Sequence, residues 1–409
     1  MERIWREIVF PTGYDGPMSY LHHVAAHLVG EDTTSDRASA PLLEWLAEEL
    51  EGHGLRVGLQ RWQDAGVAKA NLVAVVGPAR PGGLALSGHV DVVPWADQPG
   101  WTRDPLRLEI GDRRVYGRGT SDMKVFLAQC LDAVRRLDRK RLERPLQLLL
   151  TSDEEVGCLG AARLVESLPV LLGEYPPPAL AWIGEPTGWR VFHAHKGVVA
   201  FRVEVRGEGG HSSVPEAGVN AIAVAARAIA TIGALQRDLR GSPSREFEAL
   251  FPEAPYTTLN LGTIRGGTAS NMIAESCAFT LSYRPLPDED PLRLHRLVVE
   301  RLADPPADWG SDRRGRIRVG EPHWAPGMLS PRGTPLEVAL RERLDPPAGE
   351  GAPFCTDGGQ LARAGIHSLI CGPGDLEQAH RPDESVSRAA FESGADHVLA
   401  VIQSLCGAA

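Results

Sequence analysis

Apolar residues in this chain fall into short runs that end in glycine, acid or histidine, alternating with stretches of helical period. Residues 84–86, 146–150, 180–183 and 368–371 carry almost no polar interruption, the pattern of strands buried on both faces. Residues 39–50 predict a helix with Ser39 as N-cap, Pro41 in the first turn, and Leu42, Leu43, Leu46 and Leu50 as its buried stripe. Further helices are expected at 18–29, with Leu21, Val24, Ala25 and Leu28 on one face, and at 125–137 and 159–168. Segments 55–59 and 71–76 read as strands. Strands that alternate with helices imply an α/β fold with a largely parallel sheet, and ligands collected beyond the carboxyl ends of its strands.

Between about residues 196 and 319 the rhythm changes. Strands at 198–205, 256–264, 277–283 and 316–319 and helices at 220–235 and 291–302 follow in the order β-α-β-β-α-β. That is the ferredoxin-like, split βαβ arrangement. The expected organisation is a discontinuous catalytic domain, 1–195 with 320–409, interrupted by an inserted domain at 196–319.

Composition narrows the function classes. A chain of 409 residues exceeds one compact core, and its 43% hydrophobic and 23% charged content is that of an ordinary globular protein. Net charge is −10, which argues against nucleic acid or an anionic membrane as the main partner. No apolar run approaches the ~20 residues of a membrane span. Glu2, Arg3, Arg6 and Glu7 break the first ten residues, so no secretory leader is expected. Six scattered cysteines without a C-x-x-C pair suit reduced thiols, and a cytoplasmic location is expected.

Candidate chemistry sits at the ends of the apolar runs. His89 and Asp91 stand two apart, so in a strand they share a face; this suits a metal-ligating imidazole whose other nitrogen is held by a carboxylate. Asp122 closes a glycine-rich turn, and Glu155, Glu185 and His380 each come after a strand. From His89 through Asp122 and Glu155 to Glu185 the steps are 33, 33 and 30 residues, one ligand per βα unit. Imidazole and carboxylate without thiolate suit Zn²⁺, Co²⁺ or Mn²⁺. Five such residues can hold two metals ~3.5–4 Å apart if Asp122 bridges. Glu154, beside Glu155 but projecting differently, is then free to act as general base and acid. Alone, Asp153-Glu154-Glu155 would read as a solvated helix N-terminus. His23 and His27, at i and i+4, have zinc-ligand spacing but no third ligand nearby and read as surface or capping residues. Gly117-x-Gly119 lacks the third glycine of a dinucleotide loop, and no G-x-S-x-G elbow occurs.

Seven stretches together resemble the dinuclear-zinc M20 metallopeptidase family. They are GHVDVVP (88–94), GRGTSDMK (117–124), TSDEEVG (151–157), GEPT (184–187), QAHRPDES (378–385), GGHSSVPEAGVNAI (209–222) and LGTIRGGTASNMI (261–273). The resemblance implies a cofactor of two Zn²⁺, replaceable by Co²⁺ or Mn²⁺, with His89 and His380 as terminal ligands, Asp122 bridging, and Glu155 and Glu185 on one metal each. It makes Glu154 the catalytic acid/base and Asp91 the residue that orients His89. It implies a cis peptide bond from Asp122 to Met123. The inserted domain becomes a lid and a homodimerisation surface, from which His211 reaches an active site to stabilise the oxyanion. Asn271 and Arg284 resemble residues that hold a substrate carboxylate. The implied reaction removes an acyl group, acetyl above all, from a small N-acyl amino acid such as N-acetylornithine. Alternatives are desuccinylation of succinyl-diaminopimelate and glutamate-type carboxypeptidase activity. A non-catalytic homologue would have lost Glu154 or a ligand, and none is lost here. Two departures stand out: Val125 follows Lys124 where the family often has glycine, and Asp357 stands where acetylornithine deacetylases commonly carry glutamate.

Overall fold

Six strands form the main sheet of the computed structural model, which describes residues 8–9, 19–347 and 351–408. In spatial order they are His367–Ile370, Leu180–Ile183, Leu84–His89, Leu146–Thr151, Val67–Val76 and Arg56–Asp64. The first four run parallel and the last two join as antiparallel neighbours. The strands at 84–89 and 146–151 are buried at every position, which is why their sequences lack alternation. The expectation for the first ten residues lies outside the described residues except at 8–9.

The antiparallel pair is longer than expected. Ala65 and Gly66, at φ 47° and 85°, make a two-residue turn that carries the pairing to Asp64 opposite Val67. Of the extra residues of the edge strand, Gln60 to Asp64, all but Trp62 are polar and Arg61, Gln63 and Asp64 are exposed, so periodicity did not mark them. Alanine pays a steric penalty in the left-handed region that asparagine largely escapes. Ala65→Asn is therefore expected to raise stability by about 0.5–1 kcal/mol, read as a higher urea midpoint with an unchanged slope.

Helices Tyr20–Gly30, Ala40–Gly52, Lys124–Arg136, Leu159–Leu172 and Arg388–Cys406 surround this sheet. Two details correct the sequence reading. Ser39 occupies the N-cap position, but its hydroxyl makes no cap bond and instead meets Ser152 Oγ at 2.6 Å. The helix expected to end at Leu168 continues through Pro169, with Leu172 buried, until Gly173 at φ 62° stops it. His27 stacks on Trp45 at 3.9 Å between ring centroids, in keeping with a structural role.

A second, four-stranded sheet pairs Ser385–Ser387 with Arg114–Tyr116. This pairing brings the segment after His380 beside the turn that carries Asp122. Among the described residues no helix is long and apolar enough to cross a membrane, and none of the six cysteines forms a disulfide.

The chain divides into two compact units: Met1–His193 with Leu329–Gly349 and Thr356–Ala409, and Ala194–Met328 with Glu350–Cys355. In the second unit the five-stranded sheet has the order Thr258–Gly266, Ser276–Arg284, Val198–Arg206, Arg316–Val319, with His323–Ala325 also pairing with Val198–Arg206, all antiparallel. Helices Ala221–Arg240 and Arg293–Ala303 cover one face. Val199, Phe201, Val203 and Val205 pack there against Val224, Ala228, Ile232, Leu294 and Val298. From residue 198 to residue 319 the strands and α-helices follow in the order β-α-β-β-α-β.

Candidate metal centre

The ends of the parallel strands converge on one cluster. His89 is the last residue of its strand, Glu154 and Glu155 follow the strand ending at Thr151, and Glu185 follows the strand ending at Ile183. Strand 367–370 leads toward His380. Asp122 comes from the turn before helix Lys124–Arg136, and its peptide bond to Met123 is cis. Close packing demands glycine just before Glu185: a Cβ on Gly184 would come within 1.9 Å of the Phe126 ring.

Asp122 lies between the histidines. Its Oδ1 is 3.0 Å from His89 Nε2, and its Oδ2 is 3.3 Å from His380 Nε2. His380 Nε2 is also 3.1 Å from Glu155 Oε1, and His89 Nε2 is 3.9 Å from Glu185 Oε1. Donor atoms of His89, Asp122 and Glu155 all lie within 4.8 Å of one another. The five residues singled out by spacing are thus gathered by the fold.

Asp91 sits past the strand end and acts differently from the expected side-chain orienter. His89 Nδ1 lies 2.9 Å from the Asp91 carbonyl oxygen and 3.6 Å from its carboxylate. The carboxylate instead accepts the backbone N–H groups of Glu154 and Glu155, both at 3.1 Å, and the Ser35 hydroxyl at 2.9 Å. Asp91 therefore fixes the turn that carries Glu154 and Glu155 as well as the imidazole. That turn is no solvated helix start, since the helix begins only at Leu159. Asp153 and Cys158 within it, like His380, hold φ between 56° and 62°, strained for non-glycine residues and characteristic of functional sites.

Two buried ion pairs support the cluster, and sequence reading assigned roles to neither. Glu384 accepts the backbone N–H groups of Ser121 and Asp122 at 2.8 and 3.0 Å, while Arg118 Nη1 donates to it at 2.7 Å. Lys69 Nζ donates to Asp153 Oδ1 at 2.5 Å and to the Ser35 carbonyl at 2.7 Å. A lysine inside a buried strand was the available signal for the second pair. Glu384 had only its place in the motif QAHRPDES. Removing one partner of a buried pair leaves the other charge unpaired, at about 3–5 kcal/mol. Lys69→Met is expected to lose that much stability in urea unfolding, and Lys69→Met with Asp153→Asn to recover part of it.

Electrostatics show what the cluster is built around. Burial pushes the carboxyl groups of Glu154 and Glu185 well above their usual range, with Glu185 adding to the first and Asp122 to the second. Burial, then Asp122, raises Glu155. Burial would also raise Asp122, but hydrogen bonds from His380 and His89 hold it below its ordinary value. His380 is pushed up to about 10 by its hydrogen bonds to Asp122 and Glu155. For His89, burial opposes protonation, yet Asp122, Glu185 and Asp91 together raise it well above the usual value. Carboxylates pushed toward neutrality and imidazoles toward charge mark a site that calls for concentrated positive charge. Nitrogen and oxygen donors in this number fit a pair of divalent transition-metal ions.

Cys158 Sγ lies 3.5 Å from Glu154 Oε1, and donor atoms of Glu154, Cys158 and Asp357 form a second group within 4.8 Å. Asp357 also accepts the Thr151 hydroxyl at 2.5 Å. In the second unit, His211 is exposed, 2.7 Å from Ser213 Oγ, and its backbone bridges that of Met272 beside Asn271. Arg284, exposed at the far end of strand Ser276–Arg284, is not gathered with them.

Residues 193–310 match the peptidase dimerisation domain, and residues 71–172 match peptidase family M28. The chain is 38% identical over 357 residues to the acetylornithine deacetylase of Edwardsiella ictaluri (strain 93-146), covering 87% of this chain and 88% of that one. It is 35% identical over 376 residues to the enzyme of that name from Proteus mirabilis (strain HI4320), covering 92% of each. Among solved structures, the M20 family metallo-carboxypeptidase Sso-CP2 from Sulfolobus solfataricus shares the fold. Its TM-score is 0.79 at 17% identity, with 95% of this chain and 99% of that chain covered.

Proposed function

The chain belongs to the M20 peptidase family of metal-dependent hydrolases that act on amide bonds, and from that premise we propose that it removes the acetyl group of an N-acetyl amino acid, N-acetylornithine first among them. The observation that carries this reading is identity of 35–38% to acetylornithine deacetylases over most of both chains.

His89, Asp122, Glu155, Glu185 and His380 are the proposed metal ligands, with Zn²⁺ the proposed ion and Co²⁺ or Mn²⁺ its substitutes. When bound, such a pair polarises an amide carbonyl and lowers the pKa of a water. Glu154 is proposed to take the proton of the attacking water at its carboxylate and to return it to the departing amine nitrogen. Asp91 keeps Glu154 and His89 in place through its hydrogen bonds to their backbone and ring nitrogens. His211 is assigned the developing oxyanion, and Asn271 and Arg284 the substrate carboxylate, which a guanidinium grips through two parallel hydrogen bonds. A homodimer formed through residues 196–319 is part of the same proposal.

The test is a panel of N-acetyl and N-succinyl amino acids and peptides with C-terminal glutamate, assayed with added Zn²⁺ or Co²⁺. N-acetylornithine is expected to show the highest kcat/KM. A succinylated or peptide substrate turned over more efficiently would reassign the acyl group while leaving the metal chemistry in place.

A further inference from the structure

The open face of the second unit's sheet carries a charge opposite to that of the whole chain. Val203 and Val205 point into the helix-covered core, so Arg202, Glu204 and Arg206 point to the uncovered side. Register extends that side across the sheet. Arg316 pairs with Arg206, Arg318 with Glu204, and Arg265 with Ala278, itself opposite Glu204. All five arginines are exposed. Only Arg202 has a carboxylate partner among the described residues, Glu204 at 3.3 Å. Arg206 and Arg316 sit directly opposite each other, an arrangement that costs stability in a sheet. The surface is hollowed: a cavity of about 280 Å³ is lined by Arg202, Glu204, Arg206, Arg265 and Ser276.

We propose that this face is a binding site for a soluble oligophosphate, a compact anion carrying three or more phosphate groups, through Arg206, Arg265, Arg316 and Arg318 on either side of the cavity. The anion proposed for it does not depend on which acyl amino acid is the substrate. Strands lie ~4.8 Å apart, so the arginines span ~14 Å from strand Arg316–Val319 to strand Thr258–Gly266. Several guanidiniums at that spread suit a chain of phosphates, each able to take two parallel N–H···O bonds.

Other occupants fit less well. Of the positions on this face that register identifies, Ala200, Ala278, Thr280 and Ser282 carry no ring, and His323 opposite Ala200 supplies one imidazole, short of the succession of rings on which a run of nucleic-acid bases stacks. The net charge of −10 repels a long polyanion or an anionic bilayer more than a compact ion. The exposed apolar residues Leu261 and Ile264 pair with Leu281 and Phe279, on the helix side. A second copy docked through this same face would set arginine against arginine.

Calorimetry with inorganic tripolyphosphate at low ionic strength, on the metal-loaded full chain, tests the proposal. Arg206→Gln with Arg316→Gln should weaken binding at least ~10-fold and leave basal amide hydrolysis unchanged. Arg237→Gln with Arg240→Gln, the same charge change on helix Ala221–Arg240, should leave binding intact. Because the first pair relieves like-charge repulsion, its unfolding midpoint should not fall, which separates lost binding from lost folding. No heat of binding at millimolar tripolyphosphate overturns the site. So does binding that survives the double substitution but vanishes on chelation, which would place the anion on the metals. Tighter binding to single-stranded RNA or to phosphatidylserine vesicles than to tripolyphosphate overturns the assigned ligand.

Discussion

Glutamine in place of Glu154 is expected to leave the metal content of the protein unchanged and to lower kcat by at least ~10²-fold, the low end for losing a general acid–base group. The structure separates the two adjacent glutamates. Glu155 Oε1 reaches His380 Nε2 at 3.1 Å, whereas Glu154 turns toward Cys158 and Asp357. The substituted amide retains the side-chain volume but cannot accept the water proton. Asp91 holds the backbone N–H of residue 154, so the substitution should not shift the turn. KM should change little, because the loss falls on the transition state. Elemental analysis beside steady-state kinetics checks it. If the variant loses metal, Glu154 is a ligand and the roles of the two glutamates are reversed.

Asp122→Ala is expected to do more: to abolish stable binding of both metals and to cut kcat/KM by at least ~10³-fold, since without metal the attacking water keeps its bulk pKa of ~15.7 instead of ~7. One carboxylate touches both sides of the cluster, 3.0 Å from His89 and 3.3 Å from His380. Loss of Glu185 alone should be milder, because its carboxylate stands 3.9 Å from His89 Nε2 and the His380–Glu155 side is left untouched. Circular dichroism should show Asp122→Ala folded, since Glu384 anchors the backbone N–H of residue 122 whatever its side chain. A variant with parental metal content and activity would remove Asp122 from the account.

The elements that place these residues were legible in the chain because the strands leading to them are apolar runs with few polar interruptions. A run such as 146–150 is buried at every position, and the residues just after it must emerge at the sheet's edge, where ligands collect. The β-α-β-β-α-β order of the second unit was equally plain from alternation against helical period. Long-range pairing of charges escaped. Nothing local links Arg118 to Glu384, 266 residues apart, or Lys69 to Asp153, 84 apart; only the folded sheet brings them together. The pair His89 and Asp91 shows a subtler limit. A spacing of two implied a shared strand face, but the strand ends at His89, and beyond it the Asp91 carboxylate turns to the backbone of Glu154 and Glu155.

Titrating chelator-treated protein with Zn²⁺ or Co²⁺ decides whether the chain is a two-metal amide hydrolase. Bound metal is read by elemental analysis and N-acetylornithine hydrolysis is followed in the same samples. Activity should be negligible without metal, and its recovery should rise with occupancy and saturate at two ions per chain. Full hydrolysis in excess chelator, with no metal bound, would contradict it.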